Sequence, residues 1–149
     1  MAMTKATARS SRLRVVDLMT RAPLTVTATE TIGEADDLMS QNKIRQLPVV
    51  KGKELVGIVT DRDIRSFLGG SLLASPEQRE TALKTRVREI MTSEPITVCP
   101  DDELEEVLEL LIEEKVGGIP VVDETEGLVG IVTYVDVLRC FLNRLQEEG

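Results

Sequence analysis

The chain has 149 residues, enough for one ordinary domain or two half-size units sharing a core, and a net charge of −8. It is 42% apolar but has two Phe, one Tyr and no Trp, so its core must be built from Val, Leu, Ile and Met. Two cysteines, no histidine and no apolar run near the ~20 residues of a membrane span argue against a secreted disulfide framework, a zinc site and a transmembrane helix.

The first fourteen residues, MAMTKATARSSRLR, carry +4 and lack the apolar stretch of a signal peptide, so a basic flexible tail is expected there. Residues 15–86 balance ten acids against ten bases, whereas residues 87–149 set sixteen acids against four bases. A nucleic-acid partner is disfavoured, because no basic face is evident outside the tail. Reduced cysteines at Cys99 and Cys140 fit a cytoplasmic protein.

From Val15 onward the chain is written twice. MTRAPLTV (Met19–Val26) returns as MTSEPITV (Met91–Val98), and LPVV (Leu47–Val50) as IPVV (Ile119–Val122). LVGIVT then repeats letter for letter after a turn that is one residue longer in the second copy. Each copy begins with a short strand, LTV or ITV. An amphipathic helix follows, opened in copy one by a Thr31–Glu34 capping box, with Ile32, Ala35, Leu38 and Met39 on one face. In copy two Leu104, Val107, Leu108 and Leu111 form that face, and Glu105, Glu106, Glu109 and Glu113 read as a solvated surface.

LPVV, a turn and LVGIVT predict a β-hairpin rich in β-branched residues. A closing helix is expected from Asp61, ending at Gly69-Gly70, and another from Tyr134, where Val135, Leu138, Phe141, Leu142 and Leu145 recur at helical spacing. These apolar residues are expected to be internal core, although Phe67, Leu68, Phe141 and Leu142 could instead pair across a homodimer. The boundaries are a tail over 1–14, repeats over 15–68 and 87–145, a linker over 69–86 with one helical turn, and a C-terminal tail over 146–149. The fold class is α/β (α+β), two β-α-β-β-α repeats expected to pack through their sheets about a pseudo-twofold axis with a cleft between the hairpins.

The phrase GIVTDRD (Gly57–Asp63) and its second form GIVTYVD (Gly130–Asp136) carry the chemistry. A threonine ending a strand, with an acid three residues on, is a helix cap. The same geometry suits a ribose phosphate. Free N–H groups at the helix start and the hydroxyl of Thr60 or Thr133 would meet a phosphate, and the carboxylate of Asp63 or Asp136 would accept from both ribose hydroxyls. Gly57 and Gly130 would let a base or sugar approach the strand backbone.

Taken in order, DLMTRAPLTV, KIRQLPVV and LVGIVTDRDI, then EIMTSEPITV, KVGGIPVV and LVGIVTYVDVL, resemble the two halves of a free-standing CBS pair, the cystathionine β-synthase motif in a Bateman module. The resemblance covers about residues 15–145. It implies a regulatory protein that binds AMP, ADP, ATP or S-adenosylmethionine between the repeats and signals to an effector protein by conformational change. It further implies that the base lies near Val26 and Ile44 in copy one and Val98 and Val116 in copy two, and that residues before LPVV, here Arg45 and Gln46, meet phosphates.

The second copy has Gly117 and Gly118 at those positions, and Arg62 is matched by Val135. The site at Asp63 is therefore expected to be better equipped for phosphates than that at Asp136. No cofactor is required on this reading, and whether Mg²⁺ accompanies the nucleotide is not readable. An enzyme would need a nucleophile or acid–base group, for which no histidine and no cysteine beside a base is present. An interaction module with vestigial sites is the other alternative.

Overall fold

A computed structural model describes residues 12–69 and 75–148. Residues 1–11 of the expected basic tail, residues 70–74 of the expected linker, including the helix-ending Gly70, and Gly149 lie outside the described residues. The fold is mixed, with two sheets. It divides into a first unit, Ala22–Pro95 with Glu126–Leu128, and a second unit, Met1–Arg21, Ile96–Thr125 and Val129–Gly149.

These units are not the two stretches of repeated sequence. The leading segment of each copy packs with the body of the other. The segment after Arg86 completes the first unit, and the segment before Ala22 completes the second.

In the first unit the sheet order is β2-β3-β4-β5, formed by Val26–Thr27, Gln46–Lys51, Glu54–Thr60 and Thr92–Ser93. β2 runs parallel to β3, with Val26 opposite Val49, and β3 and β4 form the expected antiparallel hairpin, with Gln46 opposite Thr60. Helix α2 (Ile32–Asn42) crosses from β2 to β3. Its Thr31 hydroxyl accepts from the Glu34 N–H at 3.1 Å, and the Glu34 carboxylate accepts from the Thr31 N–H at 3.3 Å, so the capping box forms as expected. Ile32, Ala35 and Met39 on its inner face meet Val26, Leu47, Val49, Val59, Ile64 and Val87 in one aliphatic core, with Leu38 half-buried against it. Helix α3 (Asp61–Gly69) closes the unit.

The linker departs from expectation. Instead of one turn it carries an eight-residue helix, α4 (Pro76–Leu83). Ser75 and Gln78 cap it reciprocally at 3.2 and 3.0 Å, with Pro76 in the first turn, so SPEQ is a helix start in its own right.

In the second unit the sheet order is β1-β7-β6, formed by Thr20–Arg21, Gly127–Thr133 and Gly118–Asp123. Val98 makes only a parallel bridge to Val121 where the first unit has β2. A short helix α1 (Val15–Leu18) precedes β1, and α5 (Leu104–Glu114) crosses between Val98 and β6. The core is smaller: Val15, Val98, Val107, Ile119, Val121 and Val132. Glu105, Glu106, Glu109 and Glu113 are exposed, as expected of a solvated face.

The backbone repeats even where the residues differ. Ala22 and Glu94 both take positive φ, 47° and 51°, and Lys43 and Lys115 both sit at 54°, where a left-handed residue ends each crossing helix. The packing expectation for the closing helices fails in part: Phe67 of α3 is 41% exposed, while Leu68 is half-buried against the core. Helix α6 (Tyr134–Glu148) has no buried residue, and Val135, Leu138, Phe141, Leu142 and Leu145 are exposed rather than internal. Of its apolar residues only Val137 packs against the core of the second unit.

Candidate functional site

Each unit builds one candidate site at the end of its hairpin, where the last strand becomes the closing helix. In the first unit β4 ends at Thr60 and α3 starts at Asp61. The Asp61 N–H donates to the Arg45 carbonyl at 3.0 Å, tying the segment before β3 to the helix start. Gln46 pairs with Thr60 in the sheet register, so Arg45, Gln46, Thr60, Arg62 and Asp63 all come to one end of the sheet. Arg45 and Arg62 are exposed, and among the described residues neither makes an ion pair.

The second unit copies the connection but not the charge. The Tyr134 N–H donates to the Gly117 carbonyl at 3.2 Å, and where the first unit has Arg45, Gln46, Asp61 and Arg62 it has Gly117, Gly118, Tyr134 and Val135.

The Thr-x-x-Asp pairs form helix caps in both units, and their hydrogen bonds differ. Asp63 Oδ2 accepts from the Thr60 N–H at 3.0 Å, while the Thr60 hydroxyl oxygen accepts from the Asp63 N–H at 3.0 Å. Among the described residues Asp63 Oδ1 has no donor, and the Thr60 hydroxyl has no acceptor. Asp136 Oδ2 accepts from both the Thr133 N–H at 2.8 Å and the Thr133 hydroxyl at 3.1 Å. Its Oδ1 accepts from the Thr20 hydroxyl at 3.2 Å.

The glycines have a different reason from the one expected. A Cβ on Gly57 would lie 2.8 Å from Met91 Sδ and 2.8 Å from the Thr92 carbonyl oxygen. On Gly130 it would lie 2.7 Å from Met19 Sδ and 2.9 Å from the Thr20 carbonyl oxygen. The space is filled by the repeated Met-Thr of the leading segments, paired as β5 and β1, and not left open to a base or sugar.

The expected base contacts also divide. Val26 and Val98 are 1% and 4% exposed, core residues with no face to offer, because each points inward to the cluster beneath its crossing helix. Ile44 is half-buried and Val116 is 37% exposed. The residue after the repeated proline keeps an apolar side chain open in both units, Leu24 at 43% and Ile96 at 38%. Sequence reasoning passed over it, although its signal, a large aliphatic in both copies of P-[LI]-T-V, was present.

Among the described residues no cluster of His, Cys, Asp or Glu could hold a metal ion, and no helix is long and apolar enough to cross a membrane. Desolvation pushes the Cys99 thiol up from its ordinary pKa, and the carboxylates of Asp102, Glu124, Asp123 and Asp101 push it the same way, which is the reverse of an activated nucleophile.

Residues 15–70 and 87–143 match the CBS domain family. Protein MJ1225 of Methanocaldococcus jannaschii is 36% identical over 132 residues, which are 83% of this chain and 47% of that protein. The CBS-pair protein CBSX2 of Arabidopsis thaliana, solved in complex with AMP, superposes with a TM-score of 0.74 at 30% identity, over 87% of this chain and 96% of that one. The CBS domain pair of protein MJ0100, solved with 5′-methylthioadenosine and S-adenosyl-L-methionine, gives 0.76 at 30% identity, over 89% of this chain and 98% of that one. The chain also spans 25% of an inosine-5′-monophosphate dehydrogenase of Korarchaeum cryptofilum, at 36% identity over 135 residues. So the chain spans about half the length of one curated relative, a quarter of another and nearly all of the two solved CBS pairs. With two matched repeats that account for most of its length, this chain belongs to the CBS-domain family.

Proposed function

We propose that the protein is a regulatory module that binds adenosine-containing ligands, AMP, ADP, ATP or S-adenosylmethionine, and passes their occupancy to a partner protein in the cytoplasm. The observation that carries this reading is the first unit's site. Among the described residues it combines a carboxylate oxygen of Asp63 with no donor, a Thr60 hydroxyl proton with no acceptor and two arginines without ion pairs, Arg45 and Arg62, at one end of the sheet. Those are the groups a ribose phosphate needs: acceptors for its hydroxyls and cations for its charge. Solved relatives carrying AMP or S-adenosylmethionine support the same ligand class.

On this reading the two sites are unequal. Asp63 with Arg45, Gln46, Thr60 and Arg62 takes a phosphorylated nucleotide, while Asp136 with Thr133 takes adenosine ligands more weakly. The exposed Leu24 with the half-buried Ile44, and the exposed Ile96 with Val116, are the candidate walls for the base. Gly57 and Gly130 act from behind, by admitting Met91 and Met19. The signal arises because a ligand biases whichever conformation it binds better, and by no more than that difference in affinity. No catalytic step is assigned.

Calorimetric titration with AMP, ADP, ATP, S-adenosylmethionine and GTP tests the reading. Saturable heat with the adenosine ligands, reduced in Asp63→Ala to the weaker binding of the second site and lost in the Asp63→Ala/Asp136→Ala double variant, is expected. No heat with any of them, and no rise in thermal midpoint where a ligand at 100 times its Kd adds about 2.7 kcal/mol, would reject it.

A second reading is an interaction module that uses no ligand. It is favoured by the exposed apolar face of α6, where Leu138, Phe141, Leu142 and Leu145 lie open to solvent and where a second copy of the chain would pair as a homodimer. Light scattering of wild type and Phe141→Asp separates the two. A dimer that dissociates on this change while nucleotide heat persists joins both readings in one protein.

A further inference from the structure

Resting on the reading of Thr-x-x-Asp as a ribose clamp, we infer that Thr20 is a built-in competitor for the second site. Its hydroxyl occupies Asp136 where a ribose hydroxyl would bind, and so sets which ligands that site accepts. The argument is a count of acceptor positions. A carboxylate offers about four lone-pair sites, and the cis-diol of a ribose needs two of them. Among the described residues Asp63 receives one hydrogen bond, from the Thr60 N–H, which leaves about three sites open. Asp136 receives three, from the Thr133 N–H, the Thr133 hydroxyl and the Thr20 hydroxyl, which leaves about one. A ligand presenting one hydroxyl fits Asp136 as it stands. A ligand presenting two must displace Thr20.

Thr20 reaches Asp136 because it belongs to β1, whose antiparallel register sets Thr20 opposite Ile131, two residues before Thr133. The strand also forms the wall behind Gly130, so the contact is fixed by packing and not by a side chain wandering from a loop. The first unit repeats the register, with Thr92 opposite Ile58, yet Thr92 makes no hydrogen bond to Asp63 among the described residues. The same sequence position thus acts on one site and not on the other. The consequence is a difference in chemical selectivity. The first site requires both ribose hydroxyls, and the second tolerates the loss of one.

The test uses the full chain with one site disabled at a time. In Asp63→Ala protein, which reports the second site, adding Thr20→Val removes the hydroxyl and keeps a β-branched residue in the strand. AMP is expected to bind about three- to tenfold more tightly, the range of one hydrogen bond to a charged group partly offset by water. 2′-Deoxy-AMP should gain far less, so the ratio of the two Kd values widens. In Asp136→Ala protein, which reports the first site, Thr92→Val should leave AMP affinity unchanged. Equal gains for AMP and its deoxy analogue, or no gain while AMP still binds, overturn the role of Thr20. So does a Thr20→Val protein that folds with an unchanged thermal midpoint and shows no binding at the second site. If the Asp63→Ala/Asp136→Ala double variant binds AMP like wild type, the ribose-clamp reading itself is wrong and Thr20 falls with it.

Discussion

The two units share a phrase, a register and even the same left-handed backbone positions, yet their Thr-x-x-Asp pairs stand in different chemical surroundings. In the first, Asp63 has an oxygen without a donor among the described residues and lies at the same end of the sheet as Arg45 and Arg62. In the second, Asp136 is held on both oxygens by Thr133 and Thr20, and glycine or valine replaces each arginine. Duplication copied the scaffold, and a few substitutions around it were enough to make the copies unequal. A conserved-looking motif is therefore weak evidence for equal function, because what the side chains already bond to decides what they can still accept.

The strongest way to break this comparison is at the carboxylates. Asp63→Asn keeps a cap acceptor but loses the charge and one equivalent oxygen, and Asp63→Ala loses both. The alanine variant should weaken adenosine-ligand binding at the first site by about 2–4 kcal/mol, read by calorimetry, and the asparagine variant by less. Asp136→Ala should cost less than half as much. Equal losses would mean that the hydrogen bonds of Asp136 do not compete with a ligand.

The next effect should be the same in both units. Gly57→Ala and Gly130→Ala each drive a methyl into a methionine sulfur and a carbonyl oxygen, so each should lower stability by about 1–3 kcal/mol in denaturant unfolding. Trimming Met91 or Met19 would relieve only part of it, since the carbonyl stays. A large difference between the two glycines would show that the leading strands are not held alike.

The arginines sharpen the comparison further. Arg45→Ala and Arg62→Ala should each weaken ATP by about 1–2 kcal/mol at the first site, with a smaller effect on AMP and a flatter dependence on salt. Neither should change binding measured in Asp63→Ala protein. The smallest expected effect concerns the crossing helices. Thr31→Ala removes a reciprocal cap and should cost about 1 kcal/mol, whereas Glu103, which makes no side-chain cap, should change stability by less than about 0.5 kcal/mol when replaced by alanine.

The hairpins, the crossing helices and the Thr31 cap were legible in the sequence because each is a local pattern: alternation of Val and Ile, a 3.6-residue period, a T-x-x-E spacing. The family was legible because the pattern occurs twice in order. What could not be read were the contacts between distant segments. Met19-Thr20 and Met91-Thr92 look like ordinary repeat matches, and nothing local says that each forms a strand against the other copy's hairpin. For that reason neither the packing of Met91 and Met19 behind the two glycines nor the nearness of Thr20 to Asp136 is legible in the sequence. Burial misled in the same way. The repeat position of Val26 and Val98 does not show their burial, and the helical period of α6 does not show that its apolar face stays exposed.

The exchange of leading segments also sets an order of assembly on the ribosome. Apart from Glu126–Leu128, the first unit has all of its chain once residue 95 has been made, and its hairpin, helices and β5 can come together early. The second unit must hold β1 unpaired until β7 arrives, and the Thr20–Asp136 contact joins residues 116 positions apart. Contacts of such long separation are slow to form, because loop closure comes before any reward. A nascent chain would thus complete its first unit before its second, and a cut between the two copies would leave each hairpin without its edge strand.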